Sequence, residues 1–187
     1  MVEKNKEYYY ENRLSNTKPN SHLYDDRLCD YVEHLLCKER VIEAKFYILS
    51  LKNIDLRSIR LGFKVAVASF DNDLVRRYNE LLISSGCPRV EIVWFNLQYY
   101  IKMLDLSKSL EASEFILANR PKDIYVQTVF QACLVFSEYD FLKTLVKSGF
   151  YSRLNPSDPA LKKLKEILHK TLLKKLGALH NAKLYGG

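Results

Sequence analysis

Two well-separated stretches of the chain have nearly the same sequence. Residues 43–49 read EAKFYIL, and residues 111–117 read EASEFIL, so the offset, 111 − 43 = 68, is twice 34. Short turns recur with the same period of roughly 34 residues. These turns fall at residues 38–40, 71–73, 104–106 and 137–139. A repeat of this length is one supersecondary unit that cannot bury its apolar side alone, so the spacing predicts similar units stacked in sequence order.

Residues 59–86 indicate what one unit is. Apolar residues recur at steps of three and four on each side of the turn at 71–73, which places them on one face of two successive helices. They are Leu61, Val65 and Ala68 before the turn, and Leu74, Tyr78, Leu81 and Leu82 after it. Asp71 and Asp73 favour the turn because their side chains compete for backbone hydrogen bonds, and Gly86 can end the second helix. The unit is therefore a hairpin of two antiparallel helices.

The same pattern predicts four hairpins. Their helices are residues 25–38 with 41–52, 56–69 with 74–84, 89–104 with 107–119, and 123–136 with 141–148. At tetratricopeptide spacing, Leu61, Gly62, Tyr78 and Leu81 resemble the packing positions of that repeat, whereas Leu74 stands where the family has alanine. The sequence LLCKERVIEA, residues 35–44, is similar to the helix–turn–helix of pentatricopeptide repeats. The resemblance covers residues 28–149 and implies an all-α fold, a right-handed α-solenoid of about four helical hairpins.

The C-terminal segment differs from the rest of the chain in charge. From Arg153 onward, eight Lys or Arg and two Asp or Glu give a net charge of +6, whereas the remaining 21 basic and 20 acidic residues give +1. Residues 159–176 predict one more helix, with leucines and lysines on broadly opposite faces. The leucines are Leu161, Leu164, Leu168, Leu172 and Leu176, and the lysines are Lys162, Lys163, Lys170 and Lys174. We expect the leucines to cap the array, while the lysines form a possible patch for an anionic partner.

Three regions follow from this organisation. Residues 1–23 form a flexible polar N-terminal tail, residues 24–150 the repeat domain, and residues 151–187 the basic capping helix and a tail. The N-terminal region contains three consecutive tyrosines, residues 8–10, between two glutamates. A mobile tail or a fraying helix start is the simpler interpretation of this run, and a docking peptide or a phosphorylation site is the alternative.

No sequence motif indicates catalysis, a cofactor or a metal. A phosphate loop, a nucleophile elbow and a zinc-protease helix are all missing from the sequence. Cys29, His34 and Cys37 share one predicted helix, but a fourth ligand is not evident, so buried apolar cysteines are the simpler account. We expect a non-enzymatic protein. The sequence also has no secretion signal, no apolar run long enough to span a bilayer and no CxxC pair, which favours a reducing location in the cytoplasm or nucleus.

One set of positions recurs at the repeat spacing and carries large polar or aromatic side chains. Arg27, Arg60, Trp94 and Gln127 follow one another at about one repeat length, and Tyr31, Lys64, Gln98 and Gln131 follow with the same separations. First helices usually line the concave side of a solenoid, and that side usually binds. Tryptophan and arginine dominate the energetics of such interfaces. We therefore expect these eight residues to form one binding face, although Trp94 alone is as readily explained by packing between repeats.

The expected function is that of an adaptor or scaffold, which holds a peptide or helix of another protein in the repeat groove. Because the face carries more positive than negative charge, an acidic or amphipathic partner segment is favoured. The first alternative is an RNA-binding protein of the pentatricopeptide kind, which reads bases with small polar residues on each first helix. Phe95 and Val129 stand at those positions here. The second alternative is a membrane-surface protein anchored by the basic C-terminal helix.

Overall fold

The computed structural model describes residues 2–19, 21–119, 122–136 and 166. The chain divides into two compact units, Met1–Ile92 and Val93–Gly187, and the division falls within helix α6. The described part contains eight α-helices and no strand. They are α1 (Val2–Ser15), α2 (His22–Cys37), α3 (Val41–Leu49), α4 (Leu56–Ala68), α5 (Asn72–Ser84), α6 (Arg89–Lys102), α7 (Leu106–Ala118) and α8 (Asp123–Phe136). The all-α prediction is confirmed for these residues.

The helices predicted from the apolar periodicity occur where expected, with ends within three residues of the predicted ones. The second helix of the fourth hairpin and the whole C-terminal capping helix lie outside the described residues, apart from Glu166, which is helical and exposed. The N-terminal region differs from the loose tail that its polar composition suggested. It forms helix α1, which packs against α2.

The turns between paired helices share one backbone device. In each of the three such turns that the structure describes, a residue other than glycine has a positive φ. These residues are Glu39 at 59°, Phe70 at 55° and Leu104 at 56°. The next residue donates its backbone N–H to the carbonyl five positions back, over 2.9, 3.1 and 2.9 Å for Arg40, Asp71 and Asp105 respectively. This is the Schellman closure of a helix C-terminus. The turns α2–α3, α4–α5 and α6–α7 therefore have the same backbone geometry.

Two of these turns lead directly into the next helix through an aspartate cap. The Asp71 carboxylate accepts the backbone N–H of Leu74 at 2.9 Å, and Asp105 accepts that of Lys108 at 3.1 Å. Each cap satisfies a backbone donor that the first turn of a helix leaves without a partner. The assignment of Asp71 to a turn or cap is thus confirmed. The turn is short because the residue that ends one helix is followed directly by the N-cap residue of the next.

Helices α4 and α5 approach each other closely at Gly62. A Cβ atom at this position would overlap the ring of Tyr78, which is buried. The glycine thus lets an aromatic ring lie directly on the backbone of α4. This contact joins two residues that matched the tetratricopeptide pattern, and it shows why the first of them is small.

Each unit has its own buried apolar residues. In the first unit the largest fully buried side chains are Leu28, Val32, Leu35, Phe63 and Leu82. In the second unit they are Phe95, Leu97 and Ile116, and Val129, Ala132 and Cys133 of α8 are also buried. In the first unit α2 packs on α3, α3 on α4 and α4 on α5, and in the second α7 packs on α8. Within the described ranges, none of the helices is both long enough and apolar enough to cross a membrane.

Candidate protein-binding surfaces

Helix α1 lies on the part of α2 that the sequence had marked for partner binding. The ring of Tyr10 stacks on Tyr31, with 6.1 Å between centroids, and on His34, with 4.8 Å between centroids. Tyr31 is buried, and its hydroxyl donates to the Glu11 carboxylate at 3.4 Å. Burial, reinforced by the negative charge of Glu11, raises the pKa of Tyr31 to about 12, so the hydroxyl keeps its proton. Tyr31 therefore contacts a helix of its own chain.

Charged contacts hold the same helix on both sides of Tyr10 along the chain. Glu7 of α1 pairs with Arg40 in the turn after α2, and Arg13 Nη1 lies 3.4 Å from Asp30 Oδ2. Asp30 also accepts Arg57 Nη2 of α4 at 2.7 Å, so one carboxylate links α1 and α4. Arg27 Nη1 donates to the backbone carbonyl of Arg13 at 2.8 Å and also to the Thr17 hydroxyl. We call the residues that receive α1 the α1-docking face. They are Arg27, Asp30, Tyr31, His34 and Arg40.

The predicted residues of α4 differ from each other in their surroundings. Arg60 is half-buried and forms a two-point ion pair with Glu91, through Nε at 2.7 Å and Nη2 at 2.9 Å. Glu91 itself is buried. Lys64, one turn further along, is exposed. Arg60 is therefore held by the start of α6, whereas Lys64 faces solvent.

In the second unit, the predicted residues of α6 face α8. The Trp94 indole N–H donates to the Thr128 hydroxyl at 2.7 Å, and its ring centroid lies 4.9 Å from that of Tyr125. The indole N–H thus has a hydrogen-bond partner, and the ring is in aromatic contact. These contacts agree with a packing role, which was the alternative to partner binding for Trp94. Gln98 is half-buried, and its amide lies 3.5 Å from the Trp94 carbonyl.

The eight residues of the predicted face thus occur as four pairs, each on adjacent turns of one helix. Arg27 and Tyr31 receive α1, and Gln127 and Gln131 on α8 are exposed. The four lysines predicted as an anionic-partner patch lie outside the described residues. Within the described part, no three His, Cys, Asp or Glu side chains are grouped so that they could hold a metal ion.

Sequence reasoning missed a second surface, on α3. Ile42, Phe46 and Leu49 are 86%, 69% and 48% exposed and follow each other at steps of four and three. We call these three residues the α3 stripe. The opposite side of the same helix is buried through Ala44 and Ile48. The signal was present in the sequence, because residues 41–49 are apolar on two faces, whereas one apolar face suffices for a surface helix.

Two small cavities lie beside these helices in the first unit. One of about 90 Å³ is lined by residues of α2, α4 and the preceding loop, among them Asp25, Cys29 and Asn53. The other, of about 40 Å³, lies between Leu49, Ile54 and Tyr78. Sites for drug-sized ligands occupy roughly 300–1,000 Å³. Of the features described in the first unit, the exposed helix faces are therefore better candidates for recognition than these two cavities. No family model, curated protein or solved structure matches this chain.

Proposed function

We propose that the protein is a non-enzymatic adaptor that holds a helix of a partner protein on the α1-docking face. The supporting observation is the way in which α1 packs there, through stacked Tyr10 and through ion pairs of Glu7 and Arg13, one on each side of it. An amphipathic segment that lays side chains spaced i, i+3 and i+4 on a receiving surface is a recurring mode of recognition. Helix α1 then represents the partner in shape and chemistry.

The composition of α1 makes exchange for a partner feasible. The helix has 14 residues, close to the length below which isolated helices are marginal in water, so its stability depends on the docking contacts. Those contacts are mostly polar, and partly exposed ion pairs contribute only about 0–1 kcal/mol each. Tyr8 and Tyr9 face solvent rather than α2. A partner helix that presents the same charges with more apolar area would displace α1.

The docking face also indicates the chemistry of the partner. Glu7, Tyr10 and Glu11 share one face of α1 and meet Arg40, His34 and Tyr31. The matching partner is a helix with acidic side chains one turn apart and an aromatic residue between them. Because the partner carboxylate that replaces Glu7 would meet Arg40 at a partly exposed site, added salt should weaken the complex.

A binding experiment with the full chain tests the proposal. The variant Glu7→Lys/Tyr10→Ser loosens α1, and a fluorescent peptide of residues 2–18 with the native sequence is titrated into it. We expect saturable binding that His34→Ala or Arg40→Glu weakens by about tenfold or more, since both remove direct contacts. Arg76→Glu is the matched control, because it makes the same charge change on α5, where Arg76 pairs with Asp73 at 2.8 Å.

Quantitative capture of cellular proteins extends the test to true partners. The loosened chain is compared with the same chain carrying His34→Ala and Arg40→Glu. An adaptor should retain a set of proteins that depends on these two residues. If the captured set is the same for both chains, or if the peptide binds equally to all variants, the proposal fails.

The proposed architecture is a right-handed solenoid of tetratricopeptide type with about four hairpins and a C-terminal cap. The repeated Schellman turns, the contact of Gly62 with Tyr78 and the consecutive packing of α2 to α5 support it. We also propose a reducing cytoplasmic or nuclear location. Cys29, Cys87 and Cys133 are buried free thiols, which suits such a compartment.

A further inference from the structure

The α3 stripe is an apolar surface that the described part of the first unit leaves open. Ile42, Phe46 and Leu49 lie within about 60° of one another around the helix axis, given 100° per residue. They stand opposite Ala44 and Ile48, which are buried at 0% and 2% exposure. A helix that is apolar on both sides is typical of the interior of a protein or an assembly, because exposure of either face to water is unfavourable. Three large apolar side chains that are exposed next to one another indicate a surface that a binding partner covers, whereas isolated exposed apolar residues need no such explanation.

The sides of the stripe are polar and well defined. Along one side, Lys45 Nζ lies 2.7 Å from Asp71 Oδ2, the cap of α5. Along the other, Glu43 pairs with Arg40, which holds the pKa of Glu43 below its usual range. An apolar centre with a charged rim is the usual anatomy of a protein interface.

We propose that the stripe binds a second copy of this chain, with the two α3 helices antiparallel about a two-fold axis beside Phe46. In this arrangement Phe46 meets its own copy, and Ile42 of each chain meets Leu49 of the other. A two-fold interface requires such self-complementarity, since each residue pairing must also occur in reverse. The spacing of the stripe meets this requirement, because Ile42 and Leu49 flank Phe46 at four and three residues.

The charges at the two ends of the stripe support the same occupant. Glu39 precedes Ile42 by three residues, Lys52 follows Leu49 by three residues, and both side chains are exposed. Antiparallel pairing brings Glu39, before each α3 helix, towards Lys52, after the α3 helix of its copy, twice per dimer. A parallel pairing would instead place glutamate against glutamate. Opposite charges also match the macrodipoles of two antiparallel helices.

The size of the stripe sets the expected affinity. Three side chains on one nine-residue helix form a patch below the area of standard stable interfaces. We therefore expect a weak dimer, with a dissociation constant on the order of 10–100 μM. Sedimentation velocity of the full chain from about 5 to 500 μM covers this range, and the average mass should rise from monomer toward dimer.

Substitutions separate the proposed interface from other causes of association. Phe46→Glu should keep the chain monomeric throughout this range. Ile83→Glu is the matched control, because Ile83 on α5 is 59% exposed and lies outside the stripe. The Ile83→Glu variant should dimerise as the wild type does. Glu39→Lys and Lys52→Glu should each weaken the dimer by about three- to tenfold, and the double variant should recover wild-type affinity within about twofold.

Three results would overturn the proposal. The first is a monomer at every concentration, and the second is a dimer that survives Phe46→Glu. The third is a double charge variant that stays as weak as the two single ones, which would refute the antiparallel arrangement. Unchanged circular dichroism and melting temperature establish that each variant is folded.

Discussion

Replacing Gly62 by alanine sets two opposing effects against each other in α4. Alanine is the better helix former, by about 1 kcal/mol. The added methyl group would overlap the ring of Tyr78, which packs directly on the glycine. An aromatic ring can yield only by moving as a rigid plate, and Tyr78 is buried against α4. The sign of the change in stability therefore reports which effect prevails.

The magnitude follows from the contact. Overpacking a well-packed core costs typically 1–3 kcal/mol, and overlap with rigid ring atoms places Gly62→Ala near the upper value, about 3 kcal/mol. Subtracting the gain in helix propensity leaves a net destabilisation of about 2 kcal/mol. For a chain of this size, that corresponds to a fall in melting temperature of roughly 4–8 °C. Denaturant titration followed by circular dichroism measures the free energy of unfolding directly.

Two further variants identify the cause. Tyr78→Leu removes the ring atoms that the new methyl group would meet, so the double variant should be less destabilised than the sum of the single ones by about 1–2 kcal/mol. Gly86→Ala is the control, because Gly86 has a φ of 73° and nothing lies near its missing Cβ. It should cost about 1 kcal/mol through backbone strain alone, with no coupling to Tyr78. A stabilising Gly62→Ala variant would refute the packing argument.

Three other outcomes follow from the described contacts. Glu91→Ala should destabilise the chain by about 1–3 kcal/mol, which is less than the cost of breaking a fully buried ion pair, because Arg60 is partly exposed. Adding Arg60→Met should recover part of this loss, as measured by thermal melts. Cys37, the exposed thiol, should react with a disulfide reagent at about pH 8 far faster than the three buried thiols, and Cys37→Ser should remove the fast phase. The ion pair with Lys45 and a backbone N–H hold the pKa of Asp71 below its usual range. Its contribution to stability is thus present above the unfolded pKa of about 3.9 and is lost as the pH falls further, so Asp71→Asn should flatten acid melting curves below about pH 4.

Local sequence was sufficient to predict the helices and most of their ends. Apolar residues at steps of three and four identify a helix without reference to its neighbours, because the period belongs to the helix itself. Caps such as Asp71 and stops such as Gly86 act within a few residues, so they too could be recognised in advance. The resemblance to tetratricopeptide repeats marked Gly62 and Tyr78 as packing positions, but it did not predict their contact.

The sequence could not predict which polar side chains are engaged within the fold. Arg27 and Tyr31 have the residue types of a binding face, but their contacts depend on α1, a segment too polar to be recognised as a packed helix. Trp94 on α6 contacts Thr128 and Tyr125 on α8, and the whole of α7 separates these two helices along the chain. Only the tertiary structure decides such pairings.

The surface on α3 illustrates the same division. The sequence of residues 41–49 determines that both faces of this helix are apolar, because that is a property of the order of its residues. Only the packing of α3 on α2 and α4 decides that Ala44 and Ile48 are buried and that Phe46 is left exposed. Helical periodicity relates residues to their own axis alone, whereas burial depends on which neighbour covers each side.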